Sequence, residues 1–440
     1  MIPRPADCLT PCHRATDDGR GLAPRVGGGH PPPSDRFAPS RLLLVFLVAL
    51  FLRAAYGSLQ MWRTGDATAL TFPDEQQYWL MARSLWQGEP LTDELGFHAT
   101  RMPLYPALLS LFAGSDAGVI GARVCQWLIG AAAAVFAALL GARIAGSAVG
   151  LVAGLLVALD PSCVGLSSLL LTETPYVAAI AALWWVGWPL QRRGEPGATG
   201  RWIAVGALCS LIVYVRPSAV GLVAVWSLFL LVRRGFDRRG WVGGAIVAAM
   251  VVASLVPWAA RNHRVTGHWC WLTHRAGISL YDGVGPQATG ASDLGRIKNM
   301  PAVAGLDELA WNQYFLDESF RAIRQDPLRI IRLAGIKLAR TWSPVLHAEE
   351  LRSRSIRLIF AAWSVPFLAL AIAGLVILRK QPGTWIGLLL PALYLSALHS
   401  VFVGSVRYRA GAVPTLAVLA ALAAVTLWRR LTSPMPEASR

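Results

Sequence analysis

About ten stretches of this chain are too apolar to leave in water, and no other feature constrains the fold as strongly. They cover residues 42–59, 119–140, 146–159, 164–190, 202–215, 218–232, 241–259, 356–378, 385–403 and 410–428. Crossing the hydrocarbon of a bilayer takes about 20 apolar residues in a helix, and inside lipid every backbone polar group must be satisfied within its own element. The chain therefore reads as an all-α polytopic membrane protein. The third and fifth stretches are short, and 104–113 is apolar enough for a half-inserted segment, so the count carries a margin of one or two. With 55% hydrophobic and 15% charged residues the chain lies outside the soluble globular range.

The net charge of +16 would suit a nucleic-acid partner, but the arginines punctuate apolar stretches instead of forming one basic face. They set orientation. With a cytoplasmic amino terminus, alternate loops hold Arg143, then Arg192, Arg193 and Arg201, then Arg233, Arg234, Arg238 and Arg239, then Arg379 and Lys380, and last Arg429 and Arg430. Membrane lipids are the expected partners of these charges, nucleic acid is not, and a multi-pass protein of the plasma (inner) membrane is the expected location. Residues 1–40, rich in Pro, Gly and Arg, read as a disordered cytoplasmic tail without a secretory signal, and 431–440 as a second short tail. The cysteines imply no disulfide framework; Cys8, Cys12, His13 and His30 match no familiar zinc spacing.

All the polar residues without a topogenic excuse then face the other side. The stretch 72–106, FPDEQQYWLMARSLWQGEPLTDELGFHATRMPLYP, opens a short helix at Pro73, and a period of 3.6 puts Asp74 and Tyr78 one turn apart on one face. Glu173 lies near the outer end of its span with nothing basic within a turn of it in sequence. A charge at mid-span costs roughly 2.5 to 3.5 kcal/mol, so such groups need a reason. Arg101, Arg216, Arg407 and Arg409 all sit at outer span ends. In the long outer loop 260–355, residues 307–325 and 327–341 read as helices; the second sets Ile331, Ala334 and Leu338 opposite Arg329, Arg332, Lys337 and Arg340, the pattern of an interfacial helix. Gly146, Gly150 and Gly154 have the spacing of close helix packing.

Guanidinium forks match phosphate oxygens, and a lipid-linked substrate presents a phosphate at the membrane surface. Sugar transfer from a polyprenyl phosphate suits the set, because its leaving group needs positive charge and its acceptor hydroxyl needs one carboxylate base. Asp74 is the first choice for that base, with Glu75 and Glu173 as rivals. Nucleotide-sugar chemistry is disfavoured, since the chain has neither a Gly-rich strand-to-helix turn nor a P-loop. His98, His274 and His399 lack helical ligand spacing, so no metal site is assigned and no cofactor is expected, with a divalent metal left open.

FPDEQQYW followed by RMPLYPALL resembles the first outer loop of the GT-C glycosyltransferases, in particular family 39 and the related lipid A aminoarabinose transferases. The likeness continues through LLLTETPY, VRPSAV, PWAARNHRVTGH, AGISLYDG, KLARTWSP and VFVGSVRYRAGAVP. It implies a GT-C-type bundle over 41–430, with outer loop one at 60–118 and amphipathic helices on the outer face. By position it implies Asp74 as the catalytic carboxylate, Glu75 and Tyr78 beside it, Arg101 as the basic residue before PLY, and Glu173 lining the same cavity; Tyr105, in that PLY segment, is expected to line the cavity too. It also implies a polyprenyl-phosphate-linked sugar donor, inversion at the anomeric centre and work on the non-cytosolic face. The chain departs from the family in having only a short tail after Trp428, which leaves the acceptor (protein, lipid or glycan) open. Two other classes share the hydropathy: a transporter or lipid flippase, and a glycan ligase drawing on a polyprenyl diphosphate.

Overall fold

A computed structural model describes residues 37–195, 197–346 and 354–432. Most of the tail expected over 1–40 lies outside them, with Cys8, Cys12, His13 and His30, and so does 433–440. No strand occurs among the described residues. The chain opens with α1 (Pro39–Thr64), which starts on a proline at its first turn and stops at Gly65 in the left-handed conformation, φ 68°. Then come α2 (Pro73–Trp86) and α3 (Leu104–Ser110), lying between spans, followed by α4 (Gly118–Ala145) and α5 (Ser147–Leu159). After α6 (Pro161–Leu166) and α7 (Glu173–Gly187) come α8 (Ala198–Val215), α9 (Ala219–Arg233) and α10 (Arg238–Thr266). The long loop holds α11 (Ala276–Val284), α12 (Leu294–Lys298), α13 (Glu308–Gln325) and α14 (Pro327–Thr341); α15 (Arg354–Ile377), α16 (Pro382–Val401) and α17 (Val413–Thr432) complete the bundle.

Seven helices among the described residues are long and apolar enough to cross a membrane: α1, α4, α8, α10, α15, α16 and α17, the last counted with the turn before it. The shorter α5, α7 and α9 occupy the remaining expected spans. α17 runs through the middle, 83% of its apolar window buried, against α15 and α5; α1 lies at the rim, 22% buried, and turns Leu43, Leu47 and Phe51 outward. The glycine spacing does what it promised, since a Cβ on Gly150 would fall 2.6 Å from the Ala138 carbonyl oxygen and one on Gly154 would fall 2.8 Å from the Ala138 Cβ.

The expected span 164–190 is broken. Asp160 caps α6, accepting from the Cys163 N–H at 3.0 Å, and α6 stops after one turn and a half. The chain then turns, and α7 restarts at Glu173. The two helices of the long loop lie where the sequence put them, with Asp307 accepting from Ala310 N at 2.8 Å and Asp326 from Arg329 N at 2.9 Å as their caps. On α14, Leu328 and Ile331 are exposed as an interfacial helix requires, but Lys337 corrects the reading of a free basic face. It is fully buried, with its Nζ 2.6 Å from the Val401 carbonyl oxygen and 3.2 Å from that of Ser400. The physical reason is that the last carbonyls of α16 have no partner within their own helix and carry its negative end.

Candidate active site

One end of the bundle gathers five of the residues expected to face outward. Asp74 is the second residue of α2, where the helix dipole favours a carboxylate. Its Oδ1 accepts from Arg101 Nη2 at 2.6 Å and its Oδ2 from Arg407 Nη2 at 2.7 Å. Arg101 is anchored independently: Gln77 Oε1 accepts from its Nε at 2.8 Å and its Nη2 at 2.6 Å, and the guanidinium lies 4.8 Å from the Tyr78 ring centroid. Arg407 enters from the 3-10 turn Val406–Ala412 between α16 and α17.

The same guanidinium reaches a second acid. Arg407 Nε stands 3.1 Å from Glu173 Oε1, and Arg216 Nη1 stands 3.6 Å from that oxygen. Glu173 is 2% exposed, so the missing basic neighbour in its own sequence is supplied by two other segments. Tyr408 ties the pair together, with Arg407 at 5.0 Å and Arg216 at 5.5 Å from its ring centroid and the His399 ring stacked on it at 4.2 Å.

Burial alone would raise the Asp74 carboxyl, but Arg101 and Arg407, with Arg275 behind them, outweigh it and hold the group well below the usual carboxylate range. Arg275 comes from the turn before α11, where its carbonyl accepts from Ser279 N at 3.1 Å. Burial and the like charge of Arg101 bring its guanidinium down to about 10. Backbone contacts fix both segments: the N–H groups of His98 and Ala99 donate to the Glu308 carboxylate at 2.8 and 2.7 Å, and His274 N donates to Ala99 O at 2.8 Å. These bonds hold the backbone two residues before Arg101 against the backbone just before Arg275.

Two expectations are corrected. Glu75 is fully buried and turned away from Asp74; its carboxylate accepts from the N–H groups of Thr71 and Phe72 at 3.1 Å each and of Leu170 at 2.8 Å, pinning the break between α6 and α7 to the start of α2. Burial raises its carboxyl despite those donors. Arg409 points into the protein, donating to Ser343 O at 2.8 Å and Ser364 Oγ at 2.9 Å. Tyr105 is buried edge-on to Tyr78, with ring centroids 4.9 Å apart. Gln77, Arg275 and Tyr408 were missed, as was Arg53, a buried charge in the middle of α1 that donates to the carbonyls of Ala49, Val157 and Ala158. Among the described residues no three His, Cys, Asp or Glu side chains are grouped to hold a metal ion.

No protein-family model and no curated protein sequence matches the chain. Solved structures do. The Archaeoglobus fulgidus oligosaccharyltransferase tethered with an acceptor peptide superposes with a TM-score of 0.58 at 13% identity, covering 90% of this chain and 50% of its own. The oligosaccharyltransferase AglB from the same organism, in complex with an inhibitory peptide and a dolichol-phosphate, superposes with a TM-score of 0.55 at 12% identity, covering 91% and 52%. The fold is the GT-C fold. The chain spans about half the length of these two GT-C proteins. ArnT from Cupriavidus metallidurans bound to undecaprenyl phosphate also matches, at 15% identity over 89% of this chain and 77% of its own, with a TM-score of 0.41 that is too low to compare sites. The chain is a multi-pass membrane protein, and its Asp74 cluster sits at one end of the GT-C bundle.

Proposed function

We propose that the protein is a membrane glycosyltransferase that moves a single sugar from a polyprenyl-phosphate donor to an acceptor hydroxyl, working on the non-cytosolic face. The observation that carries this reading is the Asp74 carboxylate set between Arg101 and Arg407, with Glu173 on the far side of Arg407. Four guanidinium groups (Arg101, Arg216, Arg275 and Arg407) face two carboxylates, a formal surplus of two positive charges. A donor phosphodiester carries a single negative charge; the phosphate monoester that leaves carries roughly −1.5 to −2. The surplus therefore favours the charge that develops during the reaction over the charge of the bound donor, which is what lowers a barrier.

In the transfer step Asp74 takes the proton of the acceptor O–H as the oxygen bonds to the anomeric carbon. The electron pair of the anomeric carbon–oxygen bond leaves with the phosphate, held by Arg101 and Arg407 with Arg216 and Arg275 beside them. Attack from the side opposite the leaving group inverts the anomeric centre. The positive-inside distribution of the loop arginines supports the non-cytosolic placement and a plasma-membrane location. The order of motifs like those of family 39 supports a phosphate-linked donor. The second reading is a glycan ligase drawing on a polyprenyl diphosphate, whose phosphates the same arginine set would also suit.

The test is a panel of polyprenyl phosphates and diphosphates carrying labelled sugars, offered to the purified protein in liposomes with mixed hydroxyl acceptors. Release of polyprenyl monophosphate with an inverted glycoside supports the reading. Turnover confined to diphosphates selects the second. Transport of lipid with no glycosylated product rejects both.

A further inference from the structure

A general base needs a lone pair free to meet a proton, and Asp74 has each of its oxygens engaged by a guanidinium group, at 2.6 and 2.7 Å. Both arginines, however, are held in place without it. Arg101 keeps Gln77 Oε1 and the Tyr78 ring, and Arg407 keeps Glu173 and the Tyr408 ring. Withdrawing Asp74 would leave two forks already oriented, facing the space its carboxylate had filled. A carboxylate and a phosphate present similar pairs of oxygens to a guanidinium fork.

Resting on the polyprenyl-phosphate reading, we propose that in the free protein Asp74 stands in for the donor phosphate on Arg101 and Arg407, and that the arriving phosphate takes these guanidinium groups and so frees the carboxylate to receive the acceptor's proton. The base is thus disabled until the donor is bound. Water arriving first meets a neutralised carboxylate, and a sugar is activated only when its phosphate is already on the arginines.

The charged and titratable groups around Asp74 fit this exchange. Arg101 and Tyr78 approach from the first loop and α2, Arg407 from the turn before α17, Arg275 from the turn before α11, and Glu173 from α7 through Arg407. Glu75, next in sequence, is committed to backbone donors and cannot replace Asp74 on either arginine. The three arginines that hold Asp74 well below its ordinary range are the groups a phosphate would neutralise, so donor binding moves the carboxyl back up.

Two measurements decide it. The first titrates the full-length protein in nanodiscs with farnesyl phosphate. As an internal competitor is removed, Asp74→Asn should bind about tenfold more tightly than wild type, which corresponds to about 1.4 kcal/mol, and Arg407→Gln more weakly. Equal or weaker binding by Asp74→Asn overturns the proposal, because a carboxylate that serves only to position the arginines would weaken phosphate binding when lost. The second compares pH profiles in wild-type protein, where kcat/KM reports the free enzyme and kcat the donor complex. The acidic limb of kcat should lie at higher pH than that of kcat/KM; coincident limbs overturn the exchange while leaving the transferase reading standing. A protein that turns over no polyprenyl-phosphate sugar fails the transferase reading, and the farnesyl phosphate titration still judges the exchange.

Discussion

Arg407 and Asp74 lie 333 residues apart in sequence and meet at 2.7 Å, joining the first loop of the bundle to the turn before its last helix. Because Arg407 also reaches Glu173 at 3.1 Å, one planar group spans two carboxylates from different segments. A lysine would keep the charge and lose the span. Arg407→Lys is expected to lower kcat by about 10²-fold, nearly as much as Arg407→Gln. Steady-state rates on protein that elutes as wild type check this, and a lysine variant with wild-type kcat would show that charge alone matters.

Arg275 gives the donor site an alkaline edge. Its guanidinium, lowered to about 10, is protonated at neutral pH and loses its proton as pH rises through that value. Attraction for the donor phosphate falls in the same window, so KM for the donor should climb above about pH 10. In Arg275→Gln the KM is expected to be high throughout and flat across that window. A wild-type KM that stays level to pH 11 would contradict the placement of Arg275 at the phosphate, the acceptor side being held saturated.

Glu75 should matter to stability and not to chemistry. Glu75→Gln keeps one acceptor oxygen and turns an amide against the backbone donors of Thr71, Phe72 and Leu170, at a cost of about 1–3 kcal/mol. The expected result is a lower Tm with kcat per folded molecule close to wild type. Since burial raises the Glu75 carboxyl above 4.5, the folded state holds its proton longer than the unfolded one, and the group's contribution falls as pH rises past that value. The Tm gap between wild type and Glu75→Gln should therefore be larger at pH 5 than at pH 8.

What was legible in the sequence was what local periodicity governs. Asp74 and Tyr78 are one turn apart, which a helical period and a proline were enough to show; Arg101, 27 residues on and outside that helix, came from its place at a span end and from the family resemblance. Neighbours in sequence misled for the same reason. Glu75 is one residue, about 100° of helix, from Asp74 and faces the protein, and Arg409 sits two residues round a 3-10 turn from Arg407 and faces Ser364. Arg275, Gln77 and Tyr408 carry no local signature, because their place is set by contacts from distant segments such as Glu308 on His98 and Ala99. Arg53 did carry one, a charge in an apolar span, and the cost rule applied to Glu173 would have found it.

Lys337 links the interfacial helix to the end of α16. Burial lowers its ammonium to about 8, so between about 8 and 10.5 the unfolded chain binds the proton more readily than the folded one, and stability from this group rises with pH across that window. Lys337→Met leaves the carbonyls of Ser400 and Val401 uncapped and should lower Tm, by a margin that widens from pH 7 to pH 10. A margin independent of pH would mean that Lys337 carries no shifted proton.

The most direct measurement is sugar release from labelled polyprenyl-phosphate sugars by the purified protein in liposomes, wild type beside Asp74→Asn, with farnesyl phosphate binding measured on the same samples. The account predicts transfer by wild type and a loss of about 10²- to 10⁴-fold in a variant that still binds the phosphate. Undiminished transfer by Asp74→Asn would contradict it.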